Sequence, residues 1–171
     1  MIMCQSRRWA AIAVMAIAVG APQTMLAQGG SEKKETSQGS AKKEKSLYDR
    51  LGGLAPISVV VSDFIDALVP DPVLNANPAI DAARKNVPPA YLKYHVTAQV
   101  CQATGGPCKY HGRGMKESHV HMNIKEKEWD RMLTVFKEIL AKHQVPARET
   151  QELIDIVNST KADIVTAGGG E

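Results

Sequence analysis

Aromatic residues are scarce in this chain. Its 171 residues include two Phe, two Trp and four Tyr, too few for a core built mainly on packed rings. No convincing run alternates apolar and polar residues, which argues against a half-buried sheet and leaves helices to form the fold. No apolar run reaches the roughly 20 residues that a membrane-spanning helix needs, and none of the sequence repeats at a fixed period. An excess of one charge is also missing, with 21 Lys and Arg against 18 Asp and Glu. Neither nucleic acid nor an anionic membrane surface is therefore indicated as a partner.

What is present is the balance of a globular domain, 44% hydrophobic and 23% charged. The length allows one domain comfortably. Residues 1–27 combine Arg7-Arg8, an apolar run from Trp9 to Ala21 and a small residue at Ala27, which reads as an export signal. Ser6-Arg7-Arg8-Trp9 resembles the start of a twin-arginine signal. Cleavage would leave a periplasmic or secreted chain with no membrane span. Residues 28–45 hold no aliphatic residue larger than Ala and read as a flexible tether. The domain is expected over 46–165, with a fraying tail at 166–171.

Within that domain the periodicity is helical. Pro56 suits a first helical turn, and Ile57, Val60, Val61, Phe64 and Leu68 form one apolar stripe that Pro70 and Pro72 end. Residues 73–89, with Pro78, Pro88 and Pro89, read as a broken, partly helical connection. A second helix is expected from Ala90 through Cys101, with Leu92, Val96 and Val100 at spacings of four and His95 beside them. Trp129, Met132, Leu133, Phe136 and Leu140 mark a third, and Pro146 opens a fourth that carries Leu153, Ile156, Val157, Thr160 and Ile164. The expected fold is all-α with four main helices. With so few rings, the interior is filled either by aliphatic side chains or by something else, for which a large flat cofactor is one candidate.

Four of the five histidines, His95, His111, His119 and His121, fall within 27 residues. Neutral imidazole is the commonest protein ligand for metals. On a helix, residues two apart point to opposite sides, so at most one of His119 and His121 can serve a given pocket.

The run GGPCKYHGRGMKESHVHMNIKEKEWD resembles the signature of the group I truncated haemoglobins. Ser46-Leu47-Tyr48-Asp49-Arg50-Leu51-Gly52-Gly53 is similar to the family's opening, and Val145-Pro146 to the break before its last helix. The resemblance implies a two-over-two helical sandwich enclosing haem, with His119 as proximal iron ligand and oxygen, nitric oxide or another diatomic as ligand. His121 falls on a variable position. Leu92 and Val96 would line the distal side, Met115 and Ile124 the proximal side, and Trp129 would stand for the aromatic packed near the haem. Arg113, Tyr110 and Lys116 are candidates to meet the propionates. Without Cys-x-x-Cys-His the haem would be non-covalent haem b.

Two departures bear on what the iron would do. Ile65 occupies the place of the usual distal tyrosine and has no hydrogen to donate to a bound ligand, a bond worth about 1.5–3 kcal/mol when the partner is charged. Asn77-Pro78 stands where the family presents a phenylalanine to the haem; Gln99 is an alternative amide donor. These differences weigh against tight oxygen storage and fast nitric oxide dioxygenation. His95 lies ten residues before Gly105, where some relatives place a second iron ligand. A two-histidine site at His95 and His119 would favour electron exchange with a redox partner protein, or redox sensing, because outside ligands must displace an internal one. Slow oxidase or peroxidase-like side chemistry is compatible with either arrangement.

Cys4 belongs to the leader, which leaves Cys101 and Cys108 as a disulfide or as free thiols. A bridge across this separation would contribute on the order of 2–3 kcal/mol on the chain-entropy model. A third reading makes Cys101, Cys108, His111 and His119 an exported zinc or copper site. Their spacing matches none of the standard zinc patterns.

Overall fold

Ser46 starts the first helix of the domain by accepting the Asp49 N–H on its hydroxyl, and nine helical elements follow among the described residues. They are α1 (Leu47–Arg50), α2 (Leu54–Leu68), α3 (Pro72–Asn75), α4 (Pro78–Asn86), α5 (Pro89–Ala103), α6 (Met115–His119), α7 (Glu126–Lys142), α8 (Ala147–Asn158) and α9 (Lys161–Ile164). The computed structural model describes residues 44–166, and no strand occurs among them. The leader, the tether before residue 44 and the tail after Thr166 lie outside the described residues.

The four expected helices are α2, α5, α7 and α8. Ile57 and Val61 of the first stripe are buried, with Ile65 beside them, and Leu92, Val96 and Val100 of α5 pack against these while only partly buried. On the other side of α2, Phe64 meets Phe136 of α7 edge-on, with centroids 5.2 Å apart, and Leu140 and Leu153 continue this layer to α8. Thus α2 with α5 forms one pair and α7 with α8 the other. Full burial of Leu140, 1% exposed, contributes about 1.5–3 kcal/mol by transfer alone.

The fourth helix stops earlier than its apolar pattern. Hydroxyls of Ser159 and Thr160 donate to the Ile156 and Val157 carbonyls, both at 2.7 Å, and divert the backbone after Asn158. A separate turn, α9, then packs on α6. Beyond it, the Thr166 N–H donates to the Ile124 carbonyl at 3.0 Å, so the ordered domain includes this first residue of the expected tail.

The proline-rich connection contains two capped helices. Asp71 is 4% exposed and accepts the Val73 and Leu74 N–H groups, each at 3.0 Å, while Arg131 of α7 donates to its other oxygen at 2.8 Å. Burial opposes its ionisation, but the Leu74 amide, the Arg131 guanidinium and the Val73 amide together hold the carboxyl below its ordinary value. Stability from a depressed carboxyl is present at neutral pH and is lost as pH falls through the folded-state value. Asp71→Ala is therefore expected to cost about 2 kcal/mol in urea unfolding at pH 7, by loss of the cap and of the charge-assisted bond from Arg131. The difference from wild type should shrink below about pH 4, where the ordinary carboxyl protonates. A constant difference down to pH 3 would contradict the ionised pairing.

Candidate functional site

Between α5 and α6 the chain makes a tight corner that brings its unusual residues together. Gly105 adopts φ 85°, and a Cβ on Gly106 would lie 2.5 Å from the Tyr48 ring and 2.8 Å from the Cys101 carbonyl, so only glycine fits there. Cys101, fully buried, is bonded to Cys108 with Cα atoms 5.7 Å apart. Both sulfurs are spent on each other, which removes the thiolates from the proposed zinc or copper set; His111 is exposed, and no group of three metal-ligating side chains occurs among the described residues. Thiol titration of the unreduced, full-length denatured chain is expected to find neither Cys101 nor Cys108. Cys101→Ser with Cys108→Ser should lower stability by on the order of 2–3 kcal/mol.

The corner leads into an extended segment held by Gln102, whose side-chain carbonyl accepts the Tyr110 N–H at 2.7 Å. The Tyr110 hydroxyl donates to the Arg113 carbonyl at 2.8 Å, over a Gly112 where a Cβ would meet that hydroxyl oxygen at 2.2 Å and the ring at 2.4 Å. Its proton is committed to the backbone, so Tyr110 shapes the approach to α6. Arg113 and Lys116 are exposed and have no ion-pair partner among the described residues. Both are available to an anion.

His119 ends α6 and is half-buried. Its Nδ1 lies 2.7 Å from the Met115 carbonyl oxygen, which can only accept. The proton of the neutral ring is thereby placed on Nδ1, and Nε2 keeps a free lone pair. That is the form in which imidazole binds a metal, with a backbone carbonyl orienting it from the far side. His121, two residues on, lies beyond the helix in a turn and is exposed, so helical phase does not govern it.

On α5, His95 is half-buried among three of the chain's four tyrosines. Ring centroids of Tyr91, Tyr94 and Tyr110 lie 4.2, 5.1 and 6.0 Å from its own, and neither of its nitrogens has a hydrogen-bond partner among the described residues. Tyr91 and Tyr94 are 56% and 70% exposed. Leu92 and Val96 pack on α2 while remaining half-exposed, and Ile65 is buried beneath them at 5%. His95 and His119 are carried by elements with different neighbours, α5 on α2 and α6 on α9.

Met115 is half-buried, Ile124 is 8% exposed and Trp129 is 2% exposed, all near the start or end of the segment bearing His119. Lys161 of α9 stands 5.9 Å over the Trp129 ring. A further apolar cavity of about 360 Å³ lies behind α2, lined by Ile57, Val60, Val61, Val100, Phe136 and Leu140. Periodicity alone could not place it, because its walls come from five helices and the α7–α8 loop.

This arrangement defines an α-helical protein with one oriented, metal-competent imidazole beside half-covered apolar side chains. The profile of the bacterial-like globins matches residues 46–166, and the chain belongs to that family as a group I truncated globin. It is 28% identical over 121 residues to the group 1 truncated hemoglobin GlbN of Nostoc sp. (strain MUN 8820), covering 70% of this chain and 97% of that protein. The corresponding protein of Nostoc commune is also 28% identical, over 120 residues. Truncated hemoglobin from Tetrahymena pyriformis in its Fe(III) form superposes with a TM-score of 0.62 at 21% identity, covering 72% of this chain and 100% of that one. Family membership makes this a haem-binding globin whose ligand is a diatomic gas. The residues present fit such a group: among the described residues, His119 has a free Nε2, Leu92, Val96 and Met115 offer apolar faces, and the cations of Arg113 and Lys116 are unpaired.

Proposed function

We propose that the chain is exported and holds haem b non-covalently through His119 Nε2, offering the iron to a diatomic ligand such as oxygen or nitric oxide. The observation that carries this reading is the bond between His119 Nδ1 and the Met115 carbonyl, which fixes the tautomer a metal requires. Arg113 and Lys116 would meet the propionates as a planar fork and a point charge. The apolar cavity behind α2 suits small neutral molecules, which lose little on leaving water. Export is supported by the Cys101–Cys108 bridge, of a kind that persists in oxidising compartments, and by the leader-like residues 1–27. N-terminal sequencing of the native protein should begin near Gln28; an intact Met1 would refute processing.

Titration of the haem-free protein with haemin tests the central reading. A Soret band that saturates at one haem per chain is expected, and a titration indistinguishable from free haemin would refute it. A second reading is favoured by the surroundings of His95, whose free nitrogens on α5 could supply a sixth ligand where Ile65 offers no donor. In that state the protein would exchange electrons with a redox partner or sense redox poise, and gases would compete with His95.

A further inference from the structure

At five residues, α6 is too short to hold its last side chain in place by itself, and no side chain caps its N-terminus at Gly114. Within α6 the His119 imidazole is held by the Met115 carbonyl, and the placement of the helix end that carries both depends on the residues that follow it. The next residues form a turn in which the Met122 N–H donates to the His119 carbonyl at 2.9 Å and Asn123 adopts φ 46°. Two side chains from distant parts of the chain grip that turn. Thr166 donates through its hydroxyl to the Ile124 carbonyl at 3.0 Å and contacts the Asn123 side-chain oxygen at 3.3 Å. From the start of α4, Asn77 Nδ2 donates to the Met122 carbonyl at 3.0 Å and the Asn123 carbonyl at 3.4 Å.

Asn77 does two jobs with one amide. Its Oδ1 accepts the Ala79 and Ile80 N–H groups at 3.0 and 3.4 Å and so caps α4. Aspartate or serine would cap that helix about as well. Only a side chain that also donates can hold the Met122 carbonyl, because a carboxylate has no hydrogen to give and would instead face two carbonyl oxygens. The clasp, not the cap, therefore selects asparagine over aspartate.

We propose that Asn77 is a positioning residue for the iron-ligating imidazole, acting through the Met122 carbonyl and the Met122–His119 backbone bond to set the orientation of His119. This rests on the haem reading given above. Outer partners that orient a metal ligand are commonly worth tenfold to a hundredfold in metal affinity. Asn77 acts at longer range, so the lower end of that span applies.

Asn77→Asp separates the two jobs, since its carboxylate keeps the cap and has no hydrogen for the clasp, and Asn77→Ala, which loses both, serves as the second variant. In the haem-loaded full chain, haem transfer to an excess of a haem-free acceptor globin is expected to quicken on the order of tenfold in both variants. The iron–histidine stretching band of the ferrous protein should shift or broaden, which a purely structural loss would not produce. Amide exchange over residues 120–124 of the haem-free protein should rise while that of α2 and α7 stays at wild-type levels. Variants that match wild type in transfer rate, band and exchange would overturn the role of Asn77 alone. Wild-type protein that takes up no haem would overturn the haem reading and this inference with it.

Discussion

His119→Gly is expected to lose haem affinity by more than the roughly 10–100-fold that removal of an outer partner costs a metal site, because it deletes the ligand itself. The Soret band at equimolar haem should be weak or absent, and added imidazole should restore it by entering the space the side chain leaves. The fold should survive. His119 is half-buried, its only side-chain bond among the described residues is to Met115 within the same short helix, and it belongs to neither apolar cluster. Circular dichroism of the haem-free variant should therefore match wild type. Undiminished haem binding by a folded His119→Gly protein would move the iron ligand elsewhere.

The second large effect concerns His95. If its nitrogen occupies the sixth iron position in about 99% of molecules, the apparent affinity for an added ligand is reduced about a hundredfold, and removal of the side chain restores it. His95→Ala should then convert a low-spin absorption spectrum to a high-spin one and raise carbon monoxide affinity by up to that factor. The haem-free protein should change little, because the lost contacts are with the largely exposed rings of Tyr91 and Tyr94 and the half-buried ring of Tyr110. Spectra that coincide for wild type and His95→Ala would leave the iron five-coordinate and favour plain gas binding. Of the two readings, only the second predicts that the variant binds gas more tightly.

The long helices were legible because their stripes have somewhere to bury. Ile57, Val61, Leu92, Val96, Phe136, Leu140 and Leu153 all meet partners on another helix, and Pro70 and Gly105 end the first two runs. Short elements obey different rules. Pro78 reads as a helix breaker in isolation, yet after Asn77 it is the first residue of α4, where a missing N–H costs nothing. Likewise α8 and α9 share one apolar pattern but are split by two hydroxyl groups that compete for backbone carbonyls.

Much the same division holds at the candidate site. His119 stood out by its setting in a motif, and the Cys101–Cys108 pairing by parity, although the sequence alone left free thiols open. Asn77 carried no visible signal beyond its place before Pro78, because its partners are backbone carbonyls, and carbonyls have no residue type to read. The commitment of the Tyr110 hydroxyl to the Arg113 carbonyl escaped for the same reason. Leu92 and Val96 were expected to line a pocket and also serve the α2 interface, a double use that periodicity does not distinguish.

Resonance Raman spectroscopy of the ferrous, haem-loaded protein, compared with His119→Gly supplemented with imidazole, tests the assignment of His119 most directly. The iron ligand is predicted to be His119 Nε2. Wild type, or His95→Ala if the wild-type iron is six-coordinate, should therefore show an iron–histidine stretching band sensitive to iron isotope, and in the glycine variant that band should be replaced by one that follows isotopic labelling of the added imidazole. A native band that persists unchanged in His119→Gly would contradict the account.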